Sequence, residues 1–176
     1  MACEILSGRL TPCKSVGGLK NVYFGAWDST EDYTVASDGS VTSFDTALTV
    51  FKWELRGANT MDETNEVSRD NGTSFYTSTG TFQFKKQDAD TREQLELLSK
   101  GNHVVITEGY DGSVKIYGLR DGCDTSVNSV SGGAMGDLNG YNITFEGKEK
   151  EPAFFVSPTI VGAGAAFDVS PTVINP

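Results

Sequence analysis

Hydrophobic and polar residues alternate with a period of two along most of the chain, and one short interval changes to a helical period. Phe82 and Phe84 follow Gly80 in a run rich in Thr, Tyr and Phe, which predicts a strand over residues 73–86. Residues 47–56 alternate as well. Leu48, Val50, Lys52, Glu54 and Arg56 point one way and Thr49, Phe51, Trp53 and Leu55 the other, predicting a long strand with one strongly apolar face and residues 73–86 as its natural partner. Val104-Val-Ile-Thr-Glu and Val114-Lys-Ile-Tyr flank Gly109-Tyr-Asp-Gly112, so two β-branched runs meet across an Asp-Gly turn and predict a hairpin. A smaller hairpin is expected from Tyr33-Thr-Val35 and Ser40-Val-Thr-Ser-Phe44 around Asp38-Gly39. Leu19 to Gly25 reads as the first strand and residues 123–130 as another. Tyr141, Ile143 and Phe145 alternate in a strand over residues 140–146, with residues 149–156 closing the sheet.

The helical interval is residues 88–100. Leu95 and Leu98 share one face, Asp90-x-x-Glu93 has capping-box spacing with Asp in the Ser/Thr place, and Lys100 then Gly101 end it. Its apolar stripe is narrow enough to pack on one sheet face only. A mainly β, sheet-rich body with one α-helix laid on it follows. Between the two long strands lies a polar, acidic stretch, residues 57–72. Hairpin loops are usually about 2–5 residues, so this stretch is expected to be a long loop with a role of its own. Residues 1–16 read as an N-terminal arm. Residues 157–176 read as a C-terminal extended arm, in which Val169-Ser-Pro-Thr-Val173 echoes Val156-Ser-Pro-Thr-Ile160.

A length of 176 residues suits one domain with a real core, and 38% hydrophobic residues excludes a disordered chain. The formal net charge of −10 argues against nucleic acid as a tightly held ligand, because such affinity comes from Lys and Arg neutralising phosphates. Neither a membrane span nor a secretory signal is expected from the hydropathy pattern. Cys3, Cys13 and Cys123 are odd in number and form no C-x-x-C pair, so neither a full disulfide framework nor a zinc site is indicated and they read as small buried or idle thiols.

Candidate chemistry is sparse. Gly132-Gly-Ala-Met-Gly136 lacks the Gly-Lys-Ser/Thr of a phosphate loop and is expected to be a bulged connection using positive φ. His103 is the only possible general base, no G-x-S-x-G elbow accompanies it, and it is expected to begin a strand. The carboxylate groups Asp62/Glu63/Glu66 and Asp88/Asp90 lack calcium-loop spacing and read as a solvated loop and a helix N-terminus. Trp27, Tyr33, Tyr110 and Tyr117 have the type that stacks on sugars, but core and interface contacts are commoner fates. No catalytic residue, metal or cofactor is expected.

Several short motifs together carry a resemblance. Gly8-Arg-Leu-Thr-Pro-Cys-Lys14, Val16-Gly-Gly-Leu-Lys-Asn-Val-Tyr-Phe24, Gly72-Thr-Ser-Phe-Tyr and Gly136-Asp-Leu-Asn-Gly-Tyr-Asn-Ile-Thr-Phe-Glu-Gly147 with Glu151-Pro-Ala153 resemble virion structural proteins of tailed phages of Bacteroidetes-type hosts, in particular tail tube proteins. The likeness covers residues 1–156. It implies a β-sandwich or barrel of the tail tube type, closed by one helix and with a long hairpin loop, that assembles into stacked hexameric rings in the host cytoplasm and resides in the virion tail. Other virion proteins would be its partners, and DNA would pass through the channel without specific binding. It also implies that the 57–72 loop reaches a neighbouring subunit, which makes Asn59, Met61, Asp62, Glu63, Glu66, Val67 and Arg69 the candidate inter-subunit contacts. The competing expectations are another ring component, such as a neck adaptor, tail terminator or capsid decoration protein, and a small β-sandwich binding module.

Overall fold

The computed structural model describes residues 14–29, 33–44, 48–156 and 167–169. Among them the elements run β1 (Leu19–Ala26), β2 (Tyr33–Val35), β3 (Ser40–Phe44), β4 (Leu48–Glu54), β5 (Thr60–Ser68), β6 (Thr73–Lys85), α1 (Ala89–Leu98), β7 (His103–Gly109), β8 (Val114–Tyr117), β9 (Cys123–Val130), β10 (Gly140–Glu149), β11 (Phe154–Val156) and β12 (Phe167–Val169). Cys3, Cys13 and nearly all of both expected arms lie outside the described residues.

Hydrogen bonding links the strands into one mixed sheet, but in two halves. The first half runs β12-β4-β1-β7-β8-β11-β3-β2 and the second β9-β10-β6-β5. They meet only where β7 leaves β8, at the pair His103↔Cys123. The second half folds over the first and the main core fills the gap. Val22, Phe24, Leu55, Val105 and Tyr117 come from one side; Phe82, Phe84, Tyr141, Ile143 and Phe145 from the other; Leu95 and Leu98 come from α1. Phe24 stacks on Phe145 at 5.0 Å between ring centroids and Phe145 meets Phe82 at 5.3 Å, so the two sheets interlock through aromatic rings. The alternate residues Tyr23, Val41, Val50, Val104, Ile106, Val114, Ile116 and Val156 bury the opposite face of the first half in a second cluster. The mainly β fold with a single described helix is therefore a sandwich in which one sheet is apolar on both faces.

Two expectations about β4 fail. Its antiparallel partner is β1, with Val22 opposite Trp53 and Phe24 opposite Phe51, and β6 lies between β5 and β10 instead. Its parity is the expected one, with Val50 in the second cluster and Trp53 and the following Leu55 in the main core, but the apolar face is not buried throughout, since Phe51 is 46% exposed. A strand inside a sheet buried on both sides loses the clean alternation that a half-exposed strand keeps.

The expected loop 57–72 is mostly strand. Thr60 to Ser68 pair residue by residue with Thr81 to Thr73, and only residues 69–72 turn, with Gly72 at φ +62°. The long excursion is thus a β-hairpin arm. The helix begins earlier than Asp90 as well. Asp88 is the N-cap, extended at φ −145° and ψ 163°, and its carboxylate accepts the Thr91 N–H at 2.8 Å. Asp90 falls in the first turn, where its charge meets the positive end of the helix dipole.

Candidate functional site

The feature with the most distinctive chemistry is the solvent face of β9-β10-β6-β5. Since Phe82, Phe84, Tyr141, Ile143 and Phe145 point inward, strand alternation turns their neighbours outward. The pairing arranges these neighbours in rows across the strands. Thr60, Thr81, Thr144 and Ser126 form one row, Asp62, Thr79, Glu146 and Asp124 the next, and Thr64, Thr77 and Lys148 a third. Gln83, Asn142 and Asn128 lie on the other side of the first. The face is thus built from hydroxyls and amides with a carboxylate row through it. Glu66 adds another carboxylate, accepting the Thr77 hydroxyl at 2.7 Å, and Lys148 is held by Glu146 at 3.1 Å.

The candidate contact residues divide by position. Asn59 is only 7% exposed, its Oδ1 accepts the Gln83 N–H at 2.8 Å and its Nδ2 donates to the Gly57 carbonyl, so it anchors the root of β5. Met61 is half-buried, packs on the main core and lies across Gly80. Glu63 accepts the Ala153 N–H at 2.7 Å. Asp62, Glu66, Val67 and Arg69 are exposed. Because β10 ends opposite Tyr76, residues 66–68 and 73–75 pair only with each other and project as a two-stranded tip.

Both outer edges of this sheet are open among the described residues. β5 pairs with β6 alone, and β9 pairs along its length with β10 and touches β7 only at Cys123. Beside β9 a groove of about 500 Å³ opens toward α1, lined by Leu95, Val127 and Tyr141 with Arg92, Glu96 and Ser129. A smaller depression of about 180 Å³ lies between Met61, Tyr117, Thr107 and Leu19. Burial, reinforced by the nearby charges of Glu63 and Asp62, pushes the Tyr117 phenol up to about 12.

Two carboxylate centres escaped the sequence reading. Glu149 is buried and accepts the N–H of Arg120 at 2.7 Å and of Gly118 at 3.3 Å, clamping the turn that carries the chain from one sheet to the other. Burial raises its carboxyl above the ordinary value. The parity of β10 could have revealed it, since position 149 continues the inward series 141, 143, 145. The other is Glu108, which receives hydrogen bonds from Lys20, Asn21 and Tyr23 at 3.1, 2.7 and 2.8 Å. Burial alone would raise it, but these donors outweigh that and hold it below its usual range.

The remaining candidates resolve as structural residues. Asp137 accepts the N–H groups of Gly133 and Ala134 at 2.9 and 2.8 Å, so the donors a phosphate would need already have a partner, and Gly132 adopts φ +68°. His103 starts β7, and burial lowers its pKa. Tyr33 packs on Phe44 and Phe154, while Tyr110 is exposed. Among the described residues no three His, Cys, Asp or Glu side chains converge as a metal site, and no helix is long and apolar enough to cross a membrane. Comparison with family models, with curated proteins and with solved structures finds no match for this chain.

Proposed function

We propose that the chain is a structural subunit of a bacteriophage tail tube, whose rings stack into the channel through which DNA leaves the particle. The observation that carries this reading is the solvent face of β9-β10-β6-β5, where rows of hydroxyls and amides surround Asp62, Asp124, Glu146 and Glu66 against the cations Lys148 and, at the end of β6, Lys85. Facing a channel, such a wall stays hydrated and, with carboxylates in excess of cations and Lys148 held by Glu146, offers phosphates few cationic partners, so DNA slides without sticking. The motif resemblance over residues 1–156 and the net charge of −10 support the same reading. The projecting 66–75 tip, with Val67 in the open, is suited to contact a neighbouring subunit. On this reading the protein resides in the virion.

Electron microscopy of the purified chain tests the proposal. Stacked rings with an axial channel are expected. Isolated single rings would redirect the assignment to a neck adaptor or terminator, and a chain that stays monomeric at high concentration would overturn it.

A further inference from the structure

Asparagine or aspartate directly before glycine is a junction at which the backbone can react with its own side chain, because glycine has no Cβ to hinder the approach of its nitrogen. The chain has five such junctions: Asp38-Gly39, Asn71-Gly72, Asp111-Gly112, Asp121-Gly122 and Asn139-Gly140. The fold restrains four of them. The Gly39, Gly112 and Gly122 N–H groups donate to the carbonyls of Ala36, Gly109 and Gly118 at 3.0, 3.1 and 3.2 Å. Asp38 and Asp111 are engaged as well, each accepting the N–H and the hydroxyl of the serine two residues on. Gly140 is buried between β6 and β9, opposite Lys85 and Val130, and the Asn139 carbonyl accepts the Lys86 N–H at 2.7 Å. Asn71-Gly72 differs from all of these. It is exposed at the end of the β5-β6 tip, and beyond the chain neighbours no heavy atom lies within 4 Å of where a Gly72 Cβ would stand. Among the described residues neither the Gly72 N–H nor the Asn71 side chain has a hydrogen-bond partner; only the Asn71 N–H is held, by the Ser68 hydroxyl at 3.4 Å.

We propose that Asn71 is a site of spontaneous covalent modification, at which the hairpin tip changes from an amide to a carboxylate as the chain ages. The Gly72 nitrogen, once base removes its proton, attacks the Asn71 Cγ. The new C–N bond closes a five-membered succinimide, and the side-chain amide leaves as ammonia, carrying the proton that the base had taken. Water then opens the ring. Addition at the former side-chain carbonyl gives aspartate, and addition at the main-chain carbonyl gives isoaspartate, in which the backbone runs through the side chain and is one methylene longer. Either product adds a negative charge beside Asp70, in a tip whose other charges are Glu66 and Arg69. Isoaspartate also lengthens the turn that fixes Ser68 opposite Thr73. Residues 66–68 and 73–75 pair only with each other, so that change is absorbed at the tip and the body of the sheet keeps its register. The reaction needs no partner beyond water and stands apart from the tube reading. That reading sets the same tip against a neighbouring subunit, which makes assembly a protection: chains held in particles keep the amide and unassembled chains lose it.

Peptide mapping tests it. The full chain is kept in warm, mildly alkaline buffer, either folded or in urea. Samples taken over time are digested at acid pH and analysed by mass spectrometry, with fragmentation that separates aspartate from isoaspartate. In urea both Asn-Gly junctions should show the mass gain of deamidation together. In the folded chain Asn71 should convert at close to its unfolded rate and Asn139 at least about tenfold more slowly, since its backbone must first open. Asn71→Gln, whose longer side chain closes a ring far less readily, should remove the shift at the tip. Asn71 staying intact in the folded chain, or Asn139 converting there as fast as Asn71, would overturn the proposal. Comparing the assembled and unassembled fractions of one aged sample separates the two readings. An amide kept only in particles supports the tip contact as well, whereas equal conversion in both fractions removes that contact and leaves the modification site standing.

Discussion

Gly80 and Met61 make a sharp test of how β5 is held to the body of the protein. Met61 lies over the paired glycine, and a Cβ built on Gly80 would fall inside the contact distance of the Met61 sulfur, with the Phe82 ring edge next at 3.2 Å. Gly80→Ala therefore has to push the thioether off the core. Overpacking of this kind costs about 1–3 kcal/mol. Met61→Ala alone removes a half-buried side chain and should cost about 1–2 kcal/mol, below the roughly 2–5 for a fully buried methionine. In that background the sulfur is gone and the Phe82 ring edge at 3.2 Å has only to give by a few tenths of an ångström, while alanine is better than glycine inside a strand by about 0.5–1 kcal/mol. Gly80→Ala should then be close to neutral, which gives a coupling of about 1–3 kcal/mol in the double-mutant cycle. Urea unfolding of the four proteins, monitored by tryptophan fluorescence with m held in common, measures it. Equal costs of Gly80→Ala with and without Met61 would refute the view that this contact seats β5.

Four further outcomes are expected. Leu98→Ala, at a position buried against the main core, should lower stability by about 2–5 kcal/mol in the same assay. The folded-state pKa of Glu149 is raised, so its contribution to stability is fully present below the unfolded value and is lost as pH rises through the folded one. The wild type should therefore gain on Glu149→Gln as pH falls from neutrality toward the ordinary glutamate range in paired thermal melts, and a pH-independent difference would contradict this. Burial pushes the Cys123 thiol up to about 12, so in the Cys3→Ser, Cys13→Ser background labelling by a thiol reagent should track unfolding, and fast labelling of the native protein would show the site to be open. On the tube reading, Asp62→Lys, Asp124→Lys and Glu146→Lys together should slow DNA ejection from infectious particles, and unchanged ejection would remove the lubricating role of this face while leaving assembly untouched.

Sequence alone determined the elements whose burial leaves a local signature. β6, β10 and the Leu95/Leu98 face of α1 each bury one set of positions at a fixed period, so alternation or helical spacing reveals them, whereas β1 and the β7-β8 hairpin, buried on both faces, show as short apolar and β-branched runs bounded by turn residues. Tertiary structure decided the rest, for reasons that can be named. β5 reads Thr-Met-Asp-Glu-Thr-Asn-Glu-Val-Ser and is largely exposed at a sheet edge, so it carries no alternation, and only the ladder to β6 and the Met61–Gly80 contact make it a strand. β4 has core residues on both faces, and its pairing with β1 depends on a closure that brings distant segments together. At the helix start two aspartates two residues apart competed, and the extended backbone of Asp88 with its bond to Thr91 selected the first. The polar face is a property of register: Asp62, Asp124 and Glu146 are far apart along the chain and share a row because each hydrogen-bonded ladder sets which residues lie opposite.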